Sequence, residues 1–279
     1  MVRRWPPRVA PEVARRRTIF FAGVGILIVA GSASPLLDRD LPSGSGQTTR
    51  LTATVVRPQT GCTLRVGSST LTLTPALAMR LTDQAGRDQN AARPLTATTA
   101  AVAGDWSAEA RSAGVIALAL RGYDGPALAC AATLPSAHAE AMETDGLTLR
   151  ANAMWDAIKT IFGPLPAGGF MPGGVTTGHV PGSAHYEGRA IDFFYRPITT
   201  KTIQHGWVLA QWAVAHAQVL QIATVIFDAQ VWTPASWDHR NWQPYLYPEG
   251  PTTNVTLLHY DHVHVDVQRG SLPALTAAA

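Results

Sequence analysis

Two short stretches bring imidazoles and a carboxylate together in an order suited to a metal ion. The first is Ser183-Ala184-His185-Tyr186-Glu187-Gly188-Arg189-Ala190-Ile191-Asp192, and the second, further along the chain, is His262-Val263-His264. An imidazole, a carboxylate and a second imidazole suit zinc with one coordination position left open. Donors on one zinc sit only about 3 Å apart, because each lies about 2.0–2.2 Å from the ion. His185 and Asp192 are seven positions apart, about 23 Å along an extended strand, so the chain between them must double back. Gly188 stands where that turn is needed.

The elements that must position these groups can be read around them. Arg189 to Phe194 has strand alternation, with Ala190 and Asp192 on one face and Ile191 and Phe193 on the other. In a last strand from Asp261 to Val267, Val263, Val265 and Val267 form an apolar face, and His262, His264 and Asp266 share the opposite one. Leu147 to Phe162 has helical spacing, with Leu149, Met154, Ile158 and Ile161 or Phe162 on the apolar side and Asp145 or Thr148 near its start. The loop Gly163 to Gly174 follows, its glycines permitting close backbone approach. His205 to Leu220 reads as a second helix and Thr224 to Asp228 as a strand. Trp232 to Tyr247 is an aromatic loop.

Upstream, Leu71-Thr72-Leu73-Thr74 reads as a short strand, with Thr74 or Thr72 able to cap a helix from Pro75 to Leu81. Ser112 to Leu120 fits a helix or a buried strand equally, because periodicity does not separate the two. Residues 51–140 form a small N-terminal region with no chemistry in view, and packing is the role expected of it.

Composition sets the class. With 46% apolar and 15% charged residues the chain is globular rather than disordered. Its net charge of +3 is unevenly placed: six arginines against Glu12 give residues 1–33 a net of +5, leaving the remainder about −2. That balance argues against a nucleic-acid partner. The arginines lead into the apolar run Ile19 to Ala30 and then small residues, the order of a secretory signal. A retained single-pass anchor is the alternative, and either way the folded part is expected outside the cytoplasm, touching membrane only through this segment. Arg16-Arg17 also loosely resembles a twin-arginine export signal. Residues 34–50 read as a linker and 271–279 as a frayed tail. Cys62 and Cys130 are the only cysteines, and in an exported chain such a pair is expected to form one disulfide, worth about 4 kcal/mol by loop entropy.

The pattern Ser-x-His-x-x-Gly-x-Ala-x-Asp, carried by Ser183, His185, Gly188, Ala190 and Asp192 and followed by a distal His, resembles the signature of the zinc D-alanyl-D-alanine carboxypeptidases and vancomycin-resistance dipeptidases. These belong to a wider group that includes murein endopeptidases and the hedgehog domain. The likeness spans roughly residues 145–270 and looks most like exported actinobacterial versions of the domain. It implies an α+β fold of hedgehog/DD-peptidase type, with a small antiparallel sheet carrying zinc and helices packed on it. It also implies His185, Asp192 and His264 as zinc ligands, and hydrolysis of an amide by metal-activated water, with peptidoglycan or muropeptides as substrate. Family members place a carboxylate three residues before the final His, or a His two before it. Asp261 and His262 offer both, so each is a candidate base: the resemblance favours Asp261, and strand alternation turns His262 toward the metal.

The resemblance further suggests an upstream arginine holding substrate, for which Arg150 is the nearest. Ser183 is expected to hydrogen-bond within the site, since no serine-hydrolase elbow surrounds it. Trp232, Trp237, Trp242, Tyr245 and Tyr247 are candidates for a groove binding sugar or peptide, about half of them expected in the core. His179 and His259 are expected in loop or supporting roles, and Asp228 either orients a ligand imidazole or caps a turn. The rival to an enzyme is a non-catalytic wall-binding or sensing module holding zinc structurally. An open fourth position separates the first from the second.

Overall fold

A computed structural model describes residues 61–67, 69–93, 113–123, 125–134, 139–234 and 242–269. The expected signal or anchor, the linker, Trp237 and the tail lie outside these residues. The described residues all belong to one compact unit. Among the described residues no helix is long and apolar enough to cross a membrane. The architecture is α+β, with antiparallel sheets.

The first sheet is built from β1 (Cys62–Val66), β2 (Ser69–Leu73) and β3 (Leu128–Cys130), in the order β2-β1-β3. Cys62 lies opposite Cys130 in the ladder, and the two form a disulfide. Helix α1 (Pro75–Asn90) starts where Thr74 accepts a hydrogen bond from the Leu77 N–H, with proline in its first turn. The ambiguous run upstream of β3 is a helix, α2 (Ala113–Leu120), with Ile116 and Leu120 fully buried.

Helix α3 (Leu149–Phe162) is capped by Thr148 and ends at Gly163, whose φ of 72° favours glycine. Leu149, expected on its apolar side, is half exposed, because the buried stripe begins one residue later with Arg150 and Ala151 and continues through Met154, Ile158 and Ile161. Helix α4 (Thr200–Leu220) begins five residues earlier than its periodicity indicates. Thr199 and Thr202 form a reciprocal capping box that extends the helix through a polar first turn.

The second sheet carries six strands in the order β4-β5-β9-β6-β7-β8. These are β4 (Ala167–Gly168), β5 (Ala190–Phe194), β6 (Ile222–Phe227), β7 (Gln230–Trp232), β8 (Gln243–Pro244) and β9 (His262–Val267). One face, with Ile191, Phe193, Val225, Phe227, Val263, Val265 and Val267, joins the core formed with α3 and α4. Helix α4 is buried from Gly206 to Ala217, and a side chain at Gly206 would meet the Phe227 ring at 2.2 Å, so glycine sets how closely helix and sheet approach.

Two glutamines on α4 tie the upstream region to this core. Gln211 accepts from the Ala127 and Leu128 N–H groups and donates to the Ala119 and Leu120 carbonyls. Gln218 bonds both backbone groups of Thr133. The amide of Gln211 is thereby satisfied in full where water does not reach.

Candidate metal centre

Strands β5 and β9 pair so that Asp192 stands opposite His264 and Phe194 opposite His262. Their cleft-facing side chains therefore meet at the centre of the second sheet. The third donor arrives by a tight turn: Ala184–Glu187 forms one 3-10 turn, closed by Gly188 at φ 64°. A Cβ on Gly188 would lie 2.5 Å from the Gly146 carbonyl oxygen, and the Gly188 carbonyl accepts from the Thr148 N–H at the head of α3. This is the doubling back that the spacing of His185 and Asp192 demanded.

The three donors close a triangle. His185 Nε2 lies 3.1 Å from His264 Nδ1 and 3.3 Å from Asp192 Oδ1, and His264 Nδ1 lies 3.0 Å from Asp192 Oδ1. Those edges are close to the spacing of ligands around one small ion. All three residues are buried. His179 also offers a donor, which with His185 and Asp192 falls within a common 4.8 Å. The residues fit a metal ion.

The outer ring nitrogens are held as metal-ligating imidazoles usually are. His185 Nδ1 donates to the Gly169 carbonyl at 2.7 Å, which leaves Nε2 as a lone-pair donor. On His264, Nε2 faces Asp266 Oδ2 at 3.4 Å. Gly169 at φ 81° is required here: a Cβ would stand 2.3 Å from His185 Cε1 and 3.0 Å from Asp192 Oδ2.

Charge is arranged to match. Burial alone would raise the Asp192 carboxyl, but the imidazoles of His185 and His264 beside it outweigh burial and hold that group well below the usual carboxylate range. Burial would lower His264, yet bonds to Asp192 and Asp266 lift it to about 9.

His262 is oriented toward the same point, its Nε2 3.7 Å from Asp192 Oδ1. Its Nδ1 donates to Asp261 Oδ1 at 2.7 Å. Asp261, just before β9, spends its other oxygen on Arg196 Nε at 2.8 Å and on the Thr256 hydroxyl at 3.0 Å. Burial would raise the Asp261 carboxyl, but its bonds to His262, Arg196 and Thr256 lower it. Asp261 therefore grips His262 from behind. Arg196, lying over the Phe194 ring at 4.4 Å, was not signalled by any motif in the sequence.

A cleft of about 850 Å³ opens over the triangle, lined in part by His179, Ser183, His259, Tyr245 and Tyr247. Ser183 is at its wall and accepts from the His185 N–H at 3.4 Å, a weak cap on the turn. His259 stands between Tyr245, edge-on at 4.9 Å, and His262 at 4.7 Å. Burial, with the neighbouring His264 and His262, pushes it down to about 2. Burial and His185 likewise push His179 down to about 4.

Two residues expected to meet substrate are placed elsewhere. Arg150 is buried in α3 and hydrogen-bonds the Gln221 side chain, since its position falls on the stripe facing the core. The arginines lining the cleft are Arg189 and Arg269, which both pair with Glu187 and hold its carboxyl down to about 2. Trp232 is fully buried because its place at the end of β7, opposite Val225, turns it into the core. Trp242 is buried as well, donating to the Leu128 carbonyl at 2.9 Å. Of that aromatic set, Tyr245 and Tyr247 line the cleft. Asp228 accepts from Trp207 Nε1 at 3.1 Å, a core role.

No curated protein and no solved structure matches this chain. Residues 143–256 match the family model described as VldE, C-terminal domain, a stretch that contains His185 and Asp192 and stops short of His262 and His264.

Proposed function

We propose that this chain is an exported zinc-dependent peptidase of the hedgehog/DD-peptidase type that hydrolyses an amide bond in peptidoglycan stem peptides. The observation carrying the reading is the triangle of His185 Nε2, Asp192 Oδ1 and His264 Nδ1, three mixed donors with spacings of 3.0–3.3 Å at the floor of an open cleft. The residues of the first motif that the likeness to the VldE C-terminal domain covers are consistent with it. The Cys62–Cys130 disulfide and the arginine-led apolar segment at the N-terminus support export.

Zinc bound by these residues would supply an acidified water and a Lewis acid for the scissile carbonyl. The protein's part is proton handling and orientation. With Nδ1 donating to Asp261, His262 keeps Nε2 as a lone-pair acceptor facing the cleft, so it takes the proton from the attacking water and returns it to the leaving amine. Asp261 fixes that tautomer and stabilises the charged imidazole, and Arg196 and Thr256 keep Asp261 ionised and in place. The base is therefore His262, with Asp261 as its positioning partner. Tyr245 and Tyr247 offer the cleft wall for the substrate's apolar or sugar portion.

The second reading, a zinc-holding wall-binding module without turnover, is favoured by the nearness of His179 to His185 and Asp192, since four protein ligands would make a closed site. Digestion of purified peptidoglycan by the zinc-loaded chain, with and without chelator, tests the choice. New amino or carboxyl ends that appear only without chelator support the peptidase. Bound zinc with no released ends from a range of muropeptides supports the module.

A further inference from the structure

We propose that His179 is a fourth, resting-state ligand of the metal centre, so that the site is closed by protein when no substrate is bound. The inference rests on the metal centre of the proposed function and names a residue that neither motif contains. His179, His185 and Asp192 each present a donor atom within 4.8 Å of one another. Two of these three are corners of the triangle formed with His264. The widest separation this allows exceeds the 3.3 Å edge between His185 and Asp192 by only about 1.5 Å. A rotation of one imidazole covers such a gap.

The surroundings of His179 leave its ring available for that rotation. The Tyr186 hydroxyl holds its backbone at both ends, accepting from the His179 N–H at 3.0 Å and donating to its carbonyl. Among the described residues none hydrogen-bonds the His179 ring nitrogens; the ring is stacked on His185, with centroids 3.9 Å apart and planes 18° from parallel. His179 has a fixed backbone and uncommitted nitrogens beside the metal donors. The loop that carries it is bounded by Gly178 at φ 92° and Gly182 at φ 79°, and a Cβ at either would touch nothing within 4 Å.

A site closed in this way holds its ion at rest and must give up one ligand before a carbonyl can enter, which joins the enzyme and module readings as two states of one centre. The test compares the wild type with His179→Phe, which keeps a flat ring against His185 and removes both nitrogens, and with His179→Ala, which removes ring and nitrogens together. X-ray absorption on the zinc-loaded proteins counts imidazoles, and competition with a chromophoric chelator measures affinity.

The expected result is three imidazoles in the wild type and two in both variants, with zinc dissociation constants raised at least about tenfold. Two imidazoles in the wild type, or unchanged affinity in His179→Phe, overturns the proposal. Loss of affinity in His179→Ala alone also overturns it, because the ring would then act by stacking. A folded wild type that binds no zinc removes the metal centre of the proposed function itself. A wild type that binds zinc through two imidazoles removes only the fourth ligand.

Discussion

Replacing Gly169 by alanine should loosen the metal although no ligand residue is replaced. The added Cβ would lie 2.3 Å from His185 Cε1 and 2.6 Å from His185 Nδ1. Carbon atoms rest about 3.5–4.0 Å apart, so the imidazole must withdraw by roughly 1.2 Å or more. Metal–ligand distances tolerate about 0.2 Å. The withdrawal also breaks the 2.7 Å hydrogen bond from His185 Nδ1 to the Gly169 carbonyl, whose kind of support is commonly worth about 10–100-fold in affinity. Gly173→Ala is the control. It stands in the same loop at φ 82°, against 81° for Gly169, and its Cβ would meet nothing within 4 Å. Both substitutions place alanine at a positive φ that disfavours it, so loss from backbone strain alone appears in both. Zinc affinity by chelator competition should fall at least about tenfold in Gly169→Ala and stay within about twofold in Gly173→Ala. Equal affinity in the two variants would refute the role given to His185 and its carbonyl partner.

Three further outcomes follow from the same geometry. Arg196→Gln removes the clamp on Asp261 while leaving the donor triangle alone; kcat on muropeptides should fall about tenfold or more, with zinc affinity unchanged and partial recovery in Arg196→Lys, and a variant that instead loses zinc contradicts the assignment. Gln211→Ala strips partners from two backbone N–H groups and two carbonyls under α4, so urea unfolding should report a loss of about 3 kcal/mol, and a loss under 1 kcal/mol would mean those groups are not sealed from water. The pH dependence runs through His264. Its value in the metal-free fold, about 9, lies above the ordinary 6.5, so the stability it contributes is complete below about 6.5 and lost as pH rises through about 9. The thermal midpoint of metal-free protein should therefore drop across that window while zinc affinity rises, because zinc must displace the His264 proton; a midpoint and affinity that are both flat from pH 6.5 to 9 would show that His264 is not the protonated corner.

That His185, Asp192 and His264 come together was legible because strand alternation fixes direction. His262, His264 and Asp266 could only share a face opposite three valines, and the seven-residue gap between His185 and Asp192 required the turn that Gly188 makes. What lay beyond reach were contacts made by register and chain reversal. Nothing local to Arg196 reports that it reaches Asp261, 65 positions away. The periodicity that marked α3 was right, but it did not reveal that Arg150 sits on the buried side, since a lone arginine reads as solvated. In the sequence Trp232 opens an aromatic loop and so resembles a groove residue, whereas pairing of β7 with β6 settles its direction inward. The early start of α4 was missed for a related reason: Thr199 to Thr202 is polar and carries no apolar period, and its signal is the reciprocal cap.

The central claim is that His185, Asp192 and His264 together hold one zinc ion. Elemental analysis of the folded chain, purified without chelator and equilibrated with micromolar zinc, tests it most directly. The account predicts about one zinc per chain, lost in Asp192→Ala and in His264→Ala while circular dichroism shows the fold retained. A folded wild type without zinc, or variants that keep it at full occupancy, would contradict the account.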